Sequence, residues 1–121
     1  MIVGVFGPRD YKGATYASYT RVSEVLDTFA MTGLVSGGGM GVERLGLRYA
    51  EERYKNQWEA RVVPPHIQAL GAKVAFEKRN EEIIRQIDIG VVLWDGRERH
   101  YAELIAKIIQ AGKTAYVTGL E

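Results

Sequence analysis

Leu34-Val35-Ser36-Gly37-Gly38-Gly39-Met40-Gly41-Val42-Glu43 is the stretch whose reading decides the fold. It opens on a short apolar run, carries four glycines within five positions, and leads into Val42, Leu45, Tyr49 and Ala50 at helical spacing. Strand, glycine loop and helix in that order are one unit of a parallel α/β sheet. Without Cβ atoms, successive backbone N–H groups can turn inward, and the positive end of the following helix adds to them. The loop from Ser36 to Gly41 is therefore suited to an anion such as a phosphate. A tight strand-to-helix connection would also use glycine, but four in five positions favour the phosphate reading. Gly46, one turn further on, is read instead as letting helix and sheet approach closely. The loop is not a P-loop, since no Gly-Lys-Ser/Thr follows, and from Gly39 the third glycine of a dinucleotide fingerprint would fall on Arg44.

Outward from this loop, Ile2 to Phe6 is a continuous apolar run stopped by Gly7-Pro8, the pattern of a central strand buried on both faces. Between Tyr16 and Met31, the positions Tyr19, Val22, Leu26, Phe29 and Ala30 predict a covering helix, broken by Gly33. Ala60 to Val63 reads as a third strand stopped by Pro64-Pro65, followed by loop to Gly71. Phe76, Ile83, Ile84 and Ile87 predict a helix over Lys73 to Ile87, and Ile89 to Trp94 a fourth buried strand. A last helix places Tyr101, Leu104, Ile105, Ile108 and Ile109 on one face, ends at Gly112 and precedes a final strand, Thr114 to Thr118. Five strands alternating with helices through right-handed crossovers predict an α/β fold, a three-layer, doubly wound parallel five-stranded sheet in one Rossmann-like domain. Ligands of such sheets bind beyond the carboxyl ends of the strands, at the topological switch point. That singles out the loops Gly7 to Lys12, Ser36 to Gly41, Pro64 to Gly71 and Asp95 to His100.

The bulk properties agree with one domain. A chain of 121 residues, 46% hydrophobic and 26% charged, has no room for a second domain and buries about two-thirds of its unfolded surface unaided. Sixteen basic against fifteen acidic residues give a net charge of +1, so the footprint of a dedicated duplex-DNA binder is missing. The absence of cysteine excludes disulfides, thiolate nucleophiles and Cys-ligated zinc, and is compatible with the cytoplasm. The N-terminus lacks a positive region and a small-residue cleavage site, and no run approaches the roughly 20 apolar residues of a bilayer span, so a soluble cytoplasmic protein is expected. Asp10, Glu43 and Asp95 lie on separate loops, and His66 and His100 lack partners at ligand spacing, so no metal and no cofactor is expected.

Gly7-Pro8-Arg9-Asp10, then Val35-Ser36-Gly37-Gly38-Gly39-Met40-Gly41-Val42-Glu43, then Arg79-Asn80, taken in order, resemble the SLOG superfamily, particularly its small stand-alone members. That superfamily also holds the LONELY GUY phosphoribohydrolases and the core of the DNA-processing protein A family, and the resemblance runs from the first strand to Val117. It implies a Rossmann-like sheet binding a nucleotide or nucleotide-derived molecule, with the phosphate on Gly37, Gly38, Gly39, Met40 and Gly41. Gly7, Arg9, Ser36, Glu43, Asn80 and Asp95 stand around it. Arg79 resembles the arginine that the hydrolases of the superfamily carry beside the ligand; a solvated helix arginine is the alternative. The departure is the fourth loop, where enzymatic members carry Pro-Gly-Gly-x-Gly-Thr-x-x-Glu and only Glu103 matches. Without the Gly-Thr turn a second phosphate cradle is missing, and Arg97, Arg99 and His100 stand there instead, as side-chain charge for a ligand or as an exposed basic loop.

Three functions follow as expectations. The first is a nucleotide-binding sensor, carrier or sequestering domain. The second is a phosphoribohydrolase or related N-glycosidase, in which Glu103 would stabilise an oxocarbenium-like transition state or activate water and Arg79 would fix the phosphate. For Glu103 the alternative is a first-turn glutamate favoured by the helix dipole. The third is a single-stranded nucleic-acid helper, which the neutral net charge disfavours. A homo-oligomer is expected, with Tyr49, Tyr54 and Trp58 as its aromatic surface or, alternatively, as ordinary core.

Overall fold

A computed structural model describes residues 1–9 and 17–121. The candidate carboxylate Asp10, the second half of the loop from Gly7 to Lys12 and the expected helix start at Tyr16 lie outside the described residues. The elements run β1 (Ile2–Phe6), α1 (Tyr19–Leu26), β2 (Gly33–Ser36), α2 (Val42–Tyr54), β3 (Arg61–Val62), α3 (Ile67–Leu70), α4 (Ala72–Gln86), β4 (Ile89–Leu93), α5 (Arg99–Gln110) and β5 (Thr114–Thr118). All five strands are parallel, in the order β3-β2-β1-β4-β5. The chain steps outward from β1 to β3, crosses back to lay β4 on the other side of β1, and steps outward again to β5. The expected doubly wound, Rossmann-like sheet is thus present, with its switch point between β1 and β4.

Strand alternation decides which helix covers which face. Val3, Val5, Leu34, Val91 and Leu93 point to the face covered by α1 and α2, where Val22, Leu26, Val42 and Tyr49 complete the core. Phe6, Val35 and Val92 point the other way, against Ile83, Ile84 and Ile87 of α4 with its C-cap, and Leu104 and Ile108 of α5. Two buried faces explain why β1 and β4 read as unbroken apolar runs rather than as alternation. At Gly46 a Cβ would come within 3.0–3.2 Å of Val5, so α2 sits as close to β1 as the missing side chain allows.

Several boundaries differ from expectation for local reasons. Helix α1 stops at Leu26, short of Met31, because Thr28 Oγ1 takes the Val25 carbonyl at 2.7 Å and the Thr28 and Phe29 N–H groups close three-residue turns. Gly33 does not break a helix; it is the first residue of β2. Strand β3 keeps only Arg61–Val62, and the stretch expected to be loop before Gly71 folds one helical turn, α3, closed by the Gly71 N–H on the Ile67 carbonyl at 2.8 Å. On α5 the buried face runs through Tyr101, Leu104 and Ile108, so Ile109, one residue round the helix, is 60% exposed rather than in the core. The helix ends at Gln110 with Ala111 as its C-cap, and Gly112, expected as the cap, follows one residue later at φ 78°, its N–H meeting the Ile109 carbonyl while that of Lys113 meets Ile108.

Of the three aromatic residues read as a docking surface or as ordinary core, Tyr49 is in the core and Tyr54 and Trp58 pack against it. Tyr49 is buried, and its hydroxyl donates to Asp27 Oδ1 at 2.7 Å; burial, then this carboxylate, pushes the phenol pKa well up. Tyr54 and Trp58 are half-buried and stacked at 4.7 Å, closing the layer of α1 and α2. Tyr49→Phe should lower stability in urea denaturation by about 1.5–3 kcal/mol, the value of a hydrogen bond to a charged group, with Asp27 keeping Arg53 at 3.3 Å as its remaining partner.

Candidate functional site

Beyond the carboxyl ends of β1 and β2 opens a cleft of about 880 Å³, large enough for a nucleotide-sized molecule. Gly7 and the glycine loop form its floor, with Phe6 behind them. One wall is α4, presenting Lys73, Phe76, Glu77 and Asn80; the opposite wall is α5, presenting His100, Tyr101, Glu103, Leu104 and Lys107. Pro64, Pro65 and Ile67 close a third side, and Arg9 and Arg44 stand at the rim.

At this floor lies a buried ion pair. Glu43, in the first turn of α2, and Arg79, on α4, are 7% and 8% exposed and form a two-pronged ion pair. Arg79 Nη1 donates to Glu43 Oε1 at 2.9 Å and Nη2 to Oε2 at 3.0 Å. Arg79 Nε and Nη2 also donate to Asn80 Oδ1, at 3.2 and 2.9 Å, and the guanidinium lies 5.0 Å from the Phe76 ring centre. A guanidinium has five N–H donors; these contacts tie most of them inside the protein. Gly37 must lack a side chain here, since a Cβ would fall within 2.7 Å of both the Arg79 Cζ and Glu43 Oε1.

The same pair shapes the loop above it. Glu43 Oε1 accepts the Gly39 N–H at 3.0 Å, so a protein carboxylate already occupies part of the cradle. Ser36, fully buried, accepts the Gly38 N–H at 3.2 Å and donates to the Glu43 carbonyl at 2.9 Å. Among the described residues no acceptor meets the N–H of Met40 or Gly41.

Of the residues singled out from sequence, Gly7, Arg9, Gly37, Gly38, Gly39, Met40, Glu43, Arg79, Asn80 and Glu103 line the cleft. Ser36 and Gly41 do not; they brace the loop from below and cap α2. Asp95 turns away into its own loop, accepting the Arg97 N–H at 2.9 Å. Arg97 and Arg99 also stay outside, and of that basic stretch only His100 faces the cleft. Sequence reasoning missed Lys73, Glu77 and Lys107, and assigned Phe76, Tyr101 and Leu104 to the core alone. Their signal was helical spacing: 73, 77 and 80 share one stripe of α4, and 100, 103 or 104, and 107 one stripe of α5. Among the described residues no three His, Asp or Glu side chains gather as a metal would need.

Fold and cleft together define a small Rossmann-like α/β domain with a ligand-sized cleft at its switch point. Comparison with protein-family models, with curated proteins and with solved structures found no match to this chain. No helix among the described residues is long and apolar enough to cross a membrane.

Removing one member of the buried pair strands the other charge. Arg79→Leu should therefore cost about 3–5 kcal/mol in urea denaturation, and Glu43→Leu/Arg79→Leu should recover a large part of it. A single variant as stable as the wild type would mean that Arg79 is free in solution.

Proposed function

We propose that the cleft binds a nucleotide or nucleotide-derived ligand, as a sensor, carrier or sequestering domain, with the phosphate at the outer edge of the glycine loop. The observation that carries this reading is the convergence of three features at the switch point: a glycine loop entering α2, cations at Arg9, Arg44, Lys73 and Lys107, and aromatic walls at Phe76 and Tyr101. The N–H groups of Met40 and Gly41, with the positive end of α2, suit an anion. Those of Gly38 and Gly39 are engaged by Ser36 and Glu43, which moves the expected phosphate outward, toward the rim arginines. The motif resemblance to the SLOG superfamily supports the same ligand class.

Binding is favoured over hydrolysis by the state of Arg79. An N-glycosidase needs a carboxylate near the anomeric carbon and a cation free to hold the phosphate. Glu103 opens on the cleft, but Arg79 is held by Glu43 and Asn80.

Calorimetry with nucleoside monophosphates, cyclic nucleotides and ADP-ribose derivatives tests the proposal. At least one should bind below millimolar concentration, and Arg9→Ala/Arg44→Ala should weaken it about tenfold, with a reduced dependence on salt. Absence of binding at millimolar ligand ends the reading. Release of free base from a nucleoside monophosphate, lost in Glu103→Ala, would replace it with the hydrolase.

A further inference from the structure

Glu43 stands where a bound anion would stand. Its Oε1 accepts from Arg79 Nη1 at 2.9 Å and from the Gly39 N–H at 3.0 Å, and its Oε2 accepts from Arg79 Nη2 at 3.0 Å. A guanidinium fork and a glycine-loop N–H at the start of a helix are the donors that protein sites offer to phosphate oxygens. Two glycines also answer to this carboxylate. A Cβ on Gly37 would fall 2.7 Å from Oε1, and one on Gly39 2.9 Å from it. Clamping α2 to α4 needs only the fork; it needs neither the Gly39 N–H nor a loop stripped of side chains around the carboxylate.

Ligands can reach this position. Glu43, Arg79, Gly37 and Gly39 all line the cleft, so an anion that enters as far as the inner loop meets a carboxylate there. Arg79 Nε and Nη2 also donate to Asn80 Oδ1, at 3.2 and 2.9 Å, which holds the guanidinium in place independently of Glu43. Were the Glu43 side chain neutral, a cation with its donors already oriented would face the cleft without a counter-charge.

We infer that Glu43 is a specificity-determining residue: its carboxylate occupies an inner anion position on the glycine loop, formed by the Gly39 N–H and the Arg79 guanidinium, and closes that position to a phosphate by like charge. In the nucleotide reading above, on which this rests for the outer phosphate, that group sits near Met40 and Gly41. The inner position is defined by contacts within the protein.

Glu43→Gln keeps the size of the side chain and removes its charge, and inorganic phosphate is the probe. Melting temperatures are compared in about 20 mM phosphate and in chloride of equal ionic strength, for wild type, Glu43→Gln and Glu43→Leu/Arg79→Leu. In chloride Glu43→Gln should melt below wild type, because the buried Arg79 has lost its partner. Phosphate should then raise the melting temperature of Glu43→Gln by about 5 °C more than that of wild type, since an anion bound only to the folded state stabilises it. The double variant should respond no more than wild type. In the wild type, the nuclear magnetic resonances of the Gly39 amide and the Arg79 Nε–H should stay in place as phosphate is added. A phosphate response of Glu43→Gln no larger than that of wild type, including a variant unfolded in both salts, shows that the pair is only a clamp and overturns the inference. An equal response in the double variant puts the anion elsewhere and also overturns it. Movement of the Gly39 and Arg79 resonances in the wild type shows that phosphate displaces Glu43, which overturns the closure. No nucleotide enters these measurements, so the nucleotide reading stands or falls separately, by its calorimetry.

Discussion

The contact between Glu43 and Arg79 joins the two halves of the molecule above the ends of the strands. Glu43 begins α2, which covers one face of the sheet, and Arg79 stands on α4, which covers the other. Both are buried, so each charge would be strongly disfavoured alone and is tolerated through two parallel hydrogen bonds to its partner. The loop between β2 and α2 has to conform to this arrangement. Gly37 leaves space for the guanidinium, Gly39 caps the carboxylate, and Ser36 ties the loop back to the first turn of α2.

That constraint also determines the character of the cleft. With the buried charges balanced against each other, the floor is close to neutral, and cations without an ion-pair partner among the described residues stand at the rim and along the walls as Arg9, Arg44, Lys73 and Lys107. Between rim and floor the lining is mostly apolar, from Phe76, Leu104, Ile67 and the two prolines. Such a lining would suit the ligand proposed above, with charge at its edge, apolar contact area along its walls and a few polar groups to orient what enters. Glu103 faces this space from α5, while Arg79 is committed to Glu43 and Asn80.

The regular elements were legible because hydrophobic period reports burial directly. Ile2–Phe6 and Thr114–Thr118 appear where the sequence places them, and Gly46 marks the close approach of α2 to Val5. Misreadings fall where a local hydrogen bond competes with period, as at Thr28, which ends α1 early, or where one residue's rotation decides exposure, as at Ile109. Tyr49 was ambiguous for a different reason: an aromatic side chain suits a core and an interface equally, and only the packing of α1 against α2 places it in the core.

The sequence by itself determined the sheet, its alternation with helices and the position of the glycine loop, since each depends on residues near one another in the chain. It also determined that the loop would be neither a P-loop nor a dinucleotide fingerprint. Tertiary structure alone decided what the loop holds. Residues 43 and 79 are 36 positions apart, and no local pattern reveals that Arg79 meets Glu43 rather than solvent or ligand. The same holds for Tyr101, whose apolar spacing on α5 is that of a core residue, while it also lines a cleft assembled from distant segments. A side chain's spacing assigns it to a face of its helix; what lies against that face is settled only when the chain has folded.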